Sequence, residues 1–153
     1  MLRTAALAIV FGLSWHAARA ECAPEDGEIN VVGTVARVTF AGPPNYESIA
    51  DGDKPETYWI LTTSQSIVIC AVGAEKSGGT ATNAGQQRLQ LVLDDKQYKL
   101  YGSLLNQRVS LTGKVWSAQT GHHHTGVLVT VEDMRAAPAA TGNASREADQ
   151  LDP

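Results

Sequence analysis

Positive charge is scarce in this sequence: 12 Lys and Arg stand against 16 Asp and Glu in 153 residues. That balance argues against a general nucleic-acid binder, whose affinity comes from neutralising phosphates. Long apolar runs are missing too. The longest, residues 5–13, falls well short of the roughly 20 residues a membrane helix needs. Cysteine is limited to Cys22 and Cys70, with no CxxC pair to suggest dithiol redox chemistry or a cysteine-rich metal site. There is no P-loop, HExxH or nucleophile elbow, so no enzyme class is announced and a catalytic role is not the leading expectation. Histidine is rare as well: there are four, three of them adjacent.

What is present begins with a leader. Arg3 supplies a positive start, residues 5–13 a short apolar stretch, and Ala18-Arg19-Ala20 a small-x-small cleavage site. Residues 1–20 therefore read as a signal peptide, and the working chain is expected to begin near Glu21 in a bacterial periplasm or outside the cell. Glu21 before Cys22 does not suit a lipid-attachment site. The leader holds Arg3 and Arg19 and no acid, so the remaining 133 residues carry ten basic and sixteen acidic side chains, a formal charge of −6. That length suits one domain with one modest core, and no membrane span is expected after cleavage. Two cysteines in an exported chain most simply form one disulfide, Cys22–Cys70, tying the N-terminal arm to the end of an apolar strand. Residues 136–153 hold a single large apolar residue, Leu151, and are expected to be a disordered tail.

Between arm and tail, residues 21–135 read as five strands and one helix. Residues 28–40 are β-branched and alternate, with Val31, Gly33 and Val35 on one face. A second strand is expected over 57–70, kinked or divided at Ser64-Gln65-Ser66. A third at 88–93 puts Leu89, Leu91 and Leu93 in phase. A fourth at 108–116 puts Val109, Leu111, Gly113 and Val115 on one face, and a fifth at 127–131 carries Val127, Val129 and Val131. Asp94 or Asp95 is placed to cap a helix of two to three turns, weakened by Gly102, in which Tyr98, Tyr101, Leu104 and Leu105 recur. Two long loops separate the early strands: 41–56, stiffened by Pro43, Pro44 and Pro55, and the Gly-rich 73–85. The order strand, strand, strand, helix, strand, strand predicts an all-β fold, a small five-stranded Greek-key barrel of OB-fold type; a small antiparallel sandwich is the alternative.

Two motifs stand out in the chain. One is Phe40-Ala41-Gly42-Pro43-Pro44-Asn45-Tyr46-Glu47-Ser48-Ile49, continuing through Gly52-Asp53 and Pro55-Glu56-Thr57-Tyr58-Trp59. The other is Leu111-Thr112-Gly113-Lys114 followed by Thr120-Gly121-His122-His123-His124-Thr125. Together they resemble a bacterial exported family catalogued as domain of unknown function 4431, over roughly residues 32–131. Cys70 at the end of an apolar strand fits the same pattern, and Gly126 departs from it where a proline is expected. The resemblance implies a protein of the bacterial envelope and implies no activity.

The histidine triplet is the one constellation with chemical content. In an extended segment His122 and His124 point to one side and His123 to the other. Two imidazoles so spaced can share one Zn²⁺ or another divalent transition ion, but zinc takes three or four protein ligands. A further ligand has to come from elsewhere, with Glu47, Asp51 or Asp53 as candidates. The competing reading is common for histidines in a hairpin: they hydrogen-bond backbone carbonyls and hydroxyls, here those of Thr120 and Thr125, and only brace the fold. Tyr58, Trp59 and Trp116 offer a stacking platform, although strand aromatics more often belong to the core. In an OB barrel the loops joining strands one and two and strands four and five flank the usual binding face. At least one of Asn45, Tyr46 and Glu47 is therefore expected in side-chain contact with His122, His123 or His124. The leading expectation is a ligand-binding module, metal-linked through His122 and His124. The alternative is a structural or interaction module of the envelope with no small-molecule ligand.

Overall fold

Alternation of apolar and polar side chains, interrupted at a few positions, builds this domain. In a computed structural model the described residues are 22–70 and 85–138. Residues 1–21, which hold the expected leader, the Gly-rich stretch 71–84 and residues 139–153 of the expected tail lie outside them. The strands are β1 (Gly27–Ala41), β2 (Pro55–Ile67), β3 (Gln86–Val92), β4 (Arg108–Ser117) and β5 (Val127–Ala136). The helix α1 (Asp95–Leu100) and a 3₁₀ turn (Gly102–Leu104) lie between β3 and β4. The strands close into a barrel in the order β1-β2-β3-β5-β4. All neighbours are antiparallel except β3 and β5. The expected all-β barrel with one short helix is what forms, with the helix in the expected place.

The 15 residues of β1 let the ring close. Its first half, from Gly27, pairs with β4, and its second half, to Ala41, pairs with β2. Val35, Leu61, Leu89, Leu91, Val109, Leu111, Val115, Val127 and Val129 fill the interior and are essentially sealed from solvent. Trp59 belongs to that core and is not part of any surface platform.

Most strand ends fall within two residues of expectation; two differ by three or more, each for a local reason. β2 stops at Ile67, after a register shift against β3 between Thr62 and Ile67, where Ser64-Gln65-Ser66 breaks the alternation. Ile69 then forms an isolated bridge with Ala23, and the Cys70 N–H donates to the Ala23 carbonyl at 2.8 Å. The Cys22–Cys70 disulfide closes that corner across 48 positions. β5 continues to Ala136, five residues beyond the expected end. Its pairing with β4 shifts so that Gly113 faces Val131 while Thr112 faces Asp133. The extra residue, Glu132, is a β-bulge, which changes the inward phase from odd to even positions and brings Met134 into the core.

The helix is shorter than its side-chain spacing suggested. Asp94 caps it by accepting from the Lys96 and Gln97 N–H groups, and Gln97 Oε1 accepts from the Asp94 N–H, a complete capping box. The α-helix ends at Leu100 and the chain tightens into the 3₁₀ turn at Gly102. Gln97 Nε2 donates to the Val131 carbonyl at 2.9 Å, binding the helix to β5.

Candidate functional site

Sheet register sets up one outward-facing patch. Phe40 pairs with Glu56, Val38 with Tyr58, and Ala36 with Ile60; Ile60 in turn pairs with Gln90, Gln90 with Leu128, and Leu128 with Trp116. On an outer face these residues would be expected in solvent. Yet Ile60, Gln90 and Leu128 are buried, and the two apolar ones lie outside the core cluster. Gln90, between Ile60 and Leu128 in that row, lies under the segment 118–126, which joins β4 to β5 and folds back over β3.

Gln90 holds that segment down. Its Nε2–H donates to the His122 carbonyl at 3.0 Å, and its Oε1 accepts from the His124 N–H at 2.8 Å. Its backbone N–H donates to Thr125 Oγ1 at 2.9 Å, and that hydroxyl donates to the Val127 carbonyl at 2.7 Å. The loop is thus fastened on both sides of His123 by one buried amide side chain and, just after the triplet, by one buried hydroxyl.

The three histidines then take separate roles. His123 faces its own loop: Nδ1 accepts from the Gln119 and Thr120 N–H groups at 2.8 and 3.1 Å, and the ring stands edge-on to Trp116 at 5.0 Å. It braces the turn and does not meet the other two. His122 and His124 both reach Glu56. His122 Nδ1 lies 3.1 and 3.0 Å from the two carboxylate oxygens, and Nε2 lies 3.1 Å from the Tyr46 hydroxyl. Hydrogen bonding from His122 holds the Glu56 carboxyl below its ordinary range, with burial opposing. An ionised Glu56 requires Nδ1–H to donate, which leaves Nε2 to accept from Tyr46 O–H. Tyr58 O–H also donates to Glu56 Oε2 at 3.2 Å; burial first, then the Glu56 charge, pushes the Tyr58 phenol up.

His124 is the more enclosed of the pair. Its side chain is 9% exposed against 51% for His122. The ring stacks on Phe40 at 4.3 Å, nearly parallel, and lies 5.4 Å from the Tyr58 ring. Arg88 sits 5.8 Å from the same Phe40 ring. His124 Nε2 lies 3.6 Å from Glu56 Oε2, an ion-pairing distance too long for a hydrogen bond.

Two glycines of the sequence motifs make room for this arrangement. A Cβ on Gly42 would stand 2.5 Å from Glu56 Cγ, and one on Gly121 would stand 3.0 Å from the Tyr46 ring. Tyr46 itself sits in the left-handed region at φ 62°, which turns its ring toward His122.

Of the residues singled out from sequence, Tyr46, His122 and His124 come together. Asn45 and Glu47 contribute backbone N–H groups instead: with Ser48 they donate to the Asp53 carboxylate at 2.8, 2.8 and 2.9 Å. Those bonds hold Asp53 below the ordinary carboxylate range, against a smaller opposing effect of burial. Asp53 is therefore the brace of its own loop rather than a partner of the imidazoles. Glu47 and Asp51 are exposed, and among the described residues their side chains make no hydrogen bond or ion pair with the imidazoles. The carboxylate that meets the histidines is Glu56, and Phe40, Tyr58 and Gln90 complete its surroundings; of the four only Tyr58 was given a role from sequence, as part of a stacking platform. Among the described residues no group of three or more His, Cys, Asp or Glu side chains is assembled as a metal centre.

Fold and site together define a closed five-stranded barrel with an imidazole–carboxylate cluster between two loops. Residues 88–135 match the model of a family described as Domain of unknown function (DUF4431). The match runs from β3 to β5 and includes the histidine loop, while the Gly42–Glu56 side of the site lies outside it. No curated protein matches the chain.

Proposed function

We propose that the protein is an exported bacterial binding module, acting in the periplasm or outside the cell, whose ligand is taken between the 42–54 loop and the 118–126 loop. The observation that carries this reading is the convergence of two imidazole nitrogens, from His122 and His124, on one carboxylate that is kept ionised. A brace alone has no need to leave His122 half exposed. The placement agrees with the loops that flank the binding face of OB barrels. Export is supported by the leader pattern and by the disulfide, a bond that persists in oxidising compartments. No helix among the described residues is long and apolar enough to cross a membrane.

A second reading, an envelope module in which the loops only stiffen the barrel, has its own support. His123 and Gln90 are engaged wholly in holding the loop. Backbone and imidazole NMR on the isotopically labelled protein separates the two. The probes are divalent cations, small amines, small carboxylic acids and saccharides at millimolar concentration. Shifts confined to Tyr46, Glu56, His122 and His124 with any one class support binding. A folded protein whose cluster ignores every class supports the stiffening reading.

A further inference from the structure

We propose that Glu56, His122 and His124 bind one divalent transition ion of the zinc class, with water completing the coordination shell. This rests on the binding reading above and names the ligand class for the same cluster. His124 Nε2 is sealed from solvent and has no hydrogen-bond partner. Buried polar atoms in native proteins are paired, with protein, water or an ion. This one points at Glu56 Oε2, which lies 3.6 Å away, while His122 Nδ1 approaches the same oxygen at 3.0 Å. In a tetrahedral zinc site with bonds near 2.0–2.1 Å, ligand atoms stand ~3.3 Å apart. The two separations bracket that value, so each has to change by only about 0.3 Å to fit it.

The surroundings are those a metal site uses. Ligating imidazoles are oriented through their second nitrogen and ligating carboxylates through further hydrogen bonds. Tyr46 stands at His122 Nε2 at 3.1 Å, and Tyr58 donates to Glu56 at 3.2 Å. Two imidazoles and a carboxylate suit Zn²⁺, Cu²⁺ or Ni²⁺; Mg²⁺ and Ca²⁺ prefer oxygen throughout. Because three such groups are not assembled in advance, binding has to draw the half-exposed His122 in around Glu56. The His122 ring proton passes by solvent exchange from Nδ1 to Nε2, so that Nδ1 is free to ligate, Nε2–H donates to the Tyr46 oxygen, and the imidazole stays neutral throughout.

Calorimetry with Zn²⁺ on protein purified without a histidine tag tests the site. One ion per chain is expected, with Cu²⁺ binding at least as tightly and Mg²⁺ giving no heat. Glu56→Gln and His124→Gln should each weaken Zn²⁺ at least tenfold. Glu47→Gln, from the same loop region, should leave affinity unchanged. Co²⁺ should give the visible absorption of a tetrahedral N/O site in the parent protein and lose it in Glu56→Gln. Should His124→Gln fail to fold, Glu56→Gln decides alone. Absence of 1:1 binding, or affinity indifferent to Glu56→Gln, overturns the metal site. In that event an organic probe that still shifts the cluster leaves the binding-module reading standing.

Discussion

Replacing Gln90 by leucine isolates the fastening of the histidine loop. Leucine matches the buried volume closely and keeps the backbone bond to Thr125, so the change is confined to the amide. It strips the partners from the His122 carbonyl, which now accepts at 3.0 Å, and from the His124 N–H, which now donates at 2.8 Å. Leaving a buried backbone group unpaired costs about 1–3 kcal/mol, and both groups here are only part-buried, so about 1 kcal/mol each is the fair figure. The expected loss is about 2 kcal/mol in urea unfolding, with an unchanged slope because the same surface is exposed. Hydrogen exchange should show where the loss falls: the His124 amide should exchange much faster, while Leu89 and Leu91 amides slow or speed only with global stability. A variant within about 0.5 kcal/mol of the parent, with the His124 amide still protected, refutes the reasoning. Ring stacking on Phe40 would then be what holds the loop.

Other consequences are more local. Removing the disulfide with Cys22→Ala and Cys70→Ala together should cost about 4 kcal/mol on the chain-entropy account for the loop it closes, less whatever structure the unfolded chain keeps; calorimetric unfolding of the parent and double variant measures it, and equal melting temperatures would exclude a stabilising role. Asp53 has a folded pKa below its ordinary 3.8, so its contribution to stability is fully present above that value and is lost as pH falls through the depressed one. Protection of the Asn45, Glu47 and Ser48 amides should therefore persist at pH 5 and collapse on further acidification below about 3.8, and Asp53→Asn should remove the protection already at neutral pH. His123, with Nδ1 accepting two N–H groups, should show the Nε2–H tautomer in long-range ¹⁵N correlation spectra; a dominant Nδ1–H form contradicts the loop geometry.

The barrel was largely readable because its determinants are local. Period-2 apolar positions on β1, β3 and β4 mark the inward faces directly, and Asp94 with Gln97 writes the helix start within four residues. Where reading failed, a single residue shifted the phase. Glu132 bulges, so Met134 turns inward on an even position, and a pattern that follows Val127, Val129 and Val131 stops there. Gln90 shows the same limit differently. A polar residue between Leu89 and Leu91 looks like an ordinary solvent-facing position, and only a loop returning from 32 to 35 positions away makes it a buried clamp.

The site was legible in its motifs but not in its chemistry, and the reason is register. Nothing local distinguishes Glu56 from Glu47, Asp51 or Asp53, and three of these four acids lie closer in sequence to the GPPNYES turn. Asp53 is excluded by the turn itself, whose three converging N–H groups need an anion at that point. Glu56 is selected by pairing with Phe40 across β1 and β2, which puts its carboxylate next to the ring on which His124 stacks. Gly42 then becomes intelligible: a side chain there would occupy the space of Glu56 Cγ and Cδ. Gly121 does the same for Tyr46 from the opposite loop. Each glycine therefore leaves the space that a side chain of the site fills, Gly42 for Glu56 of its own motif and Gly121 for Tyr46 of the other. Glycine and histidine patterns can be seen one loop at a time, whereas the carboxylate that joins them emerges only once the strands are paired.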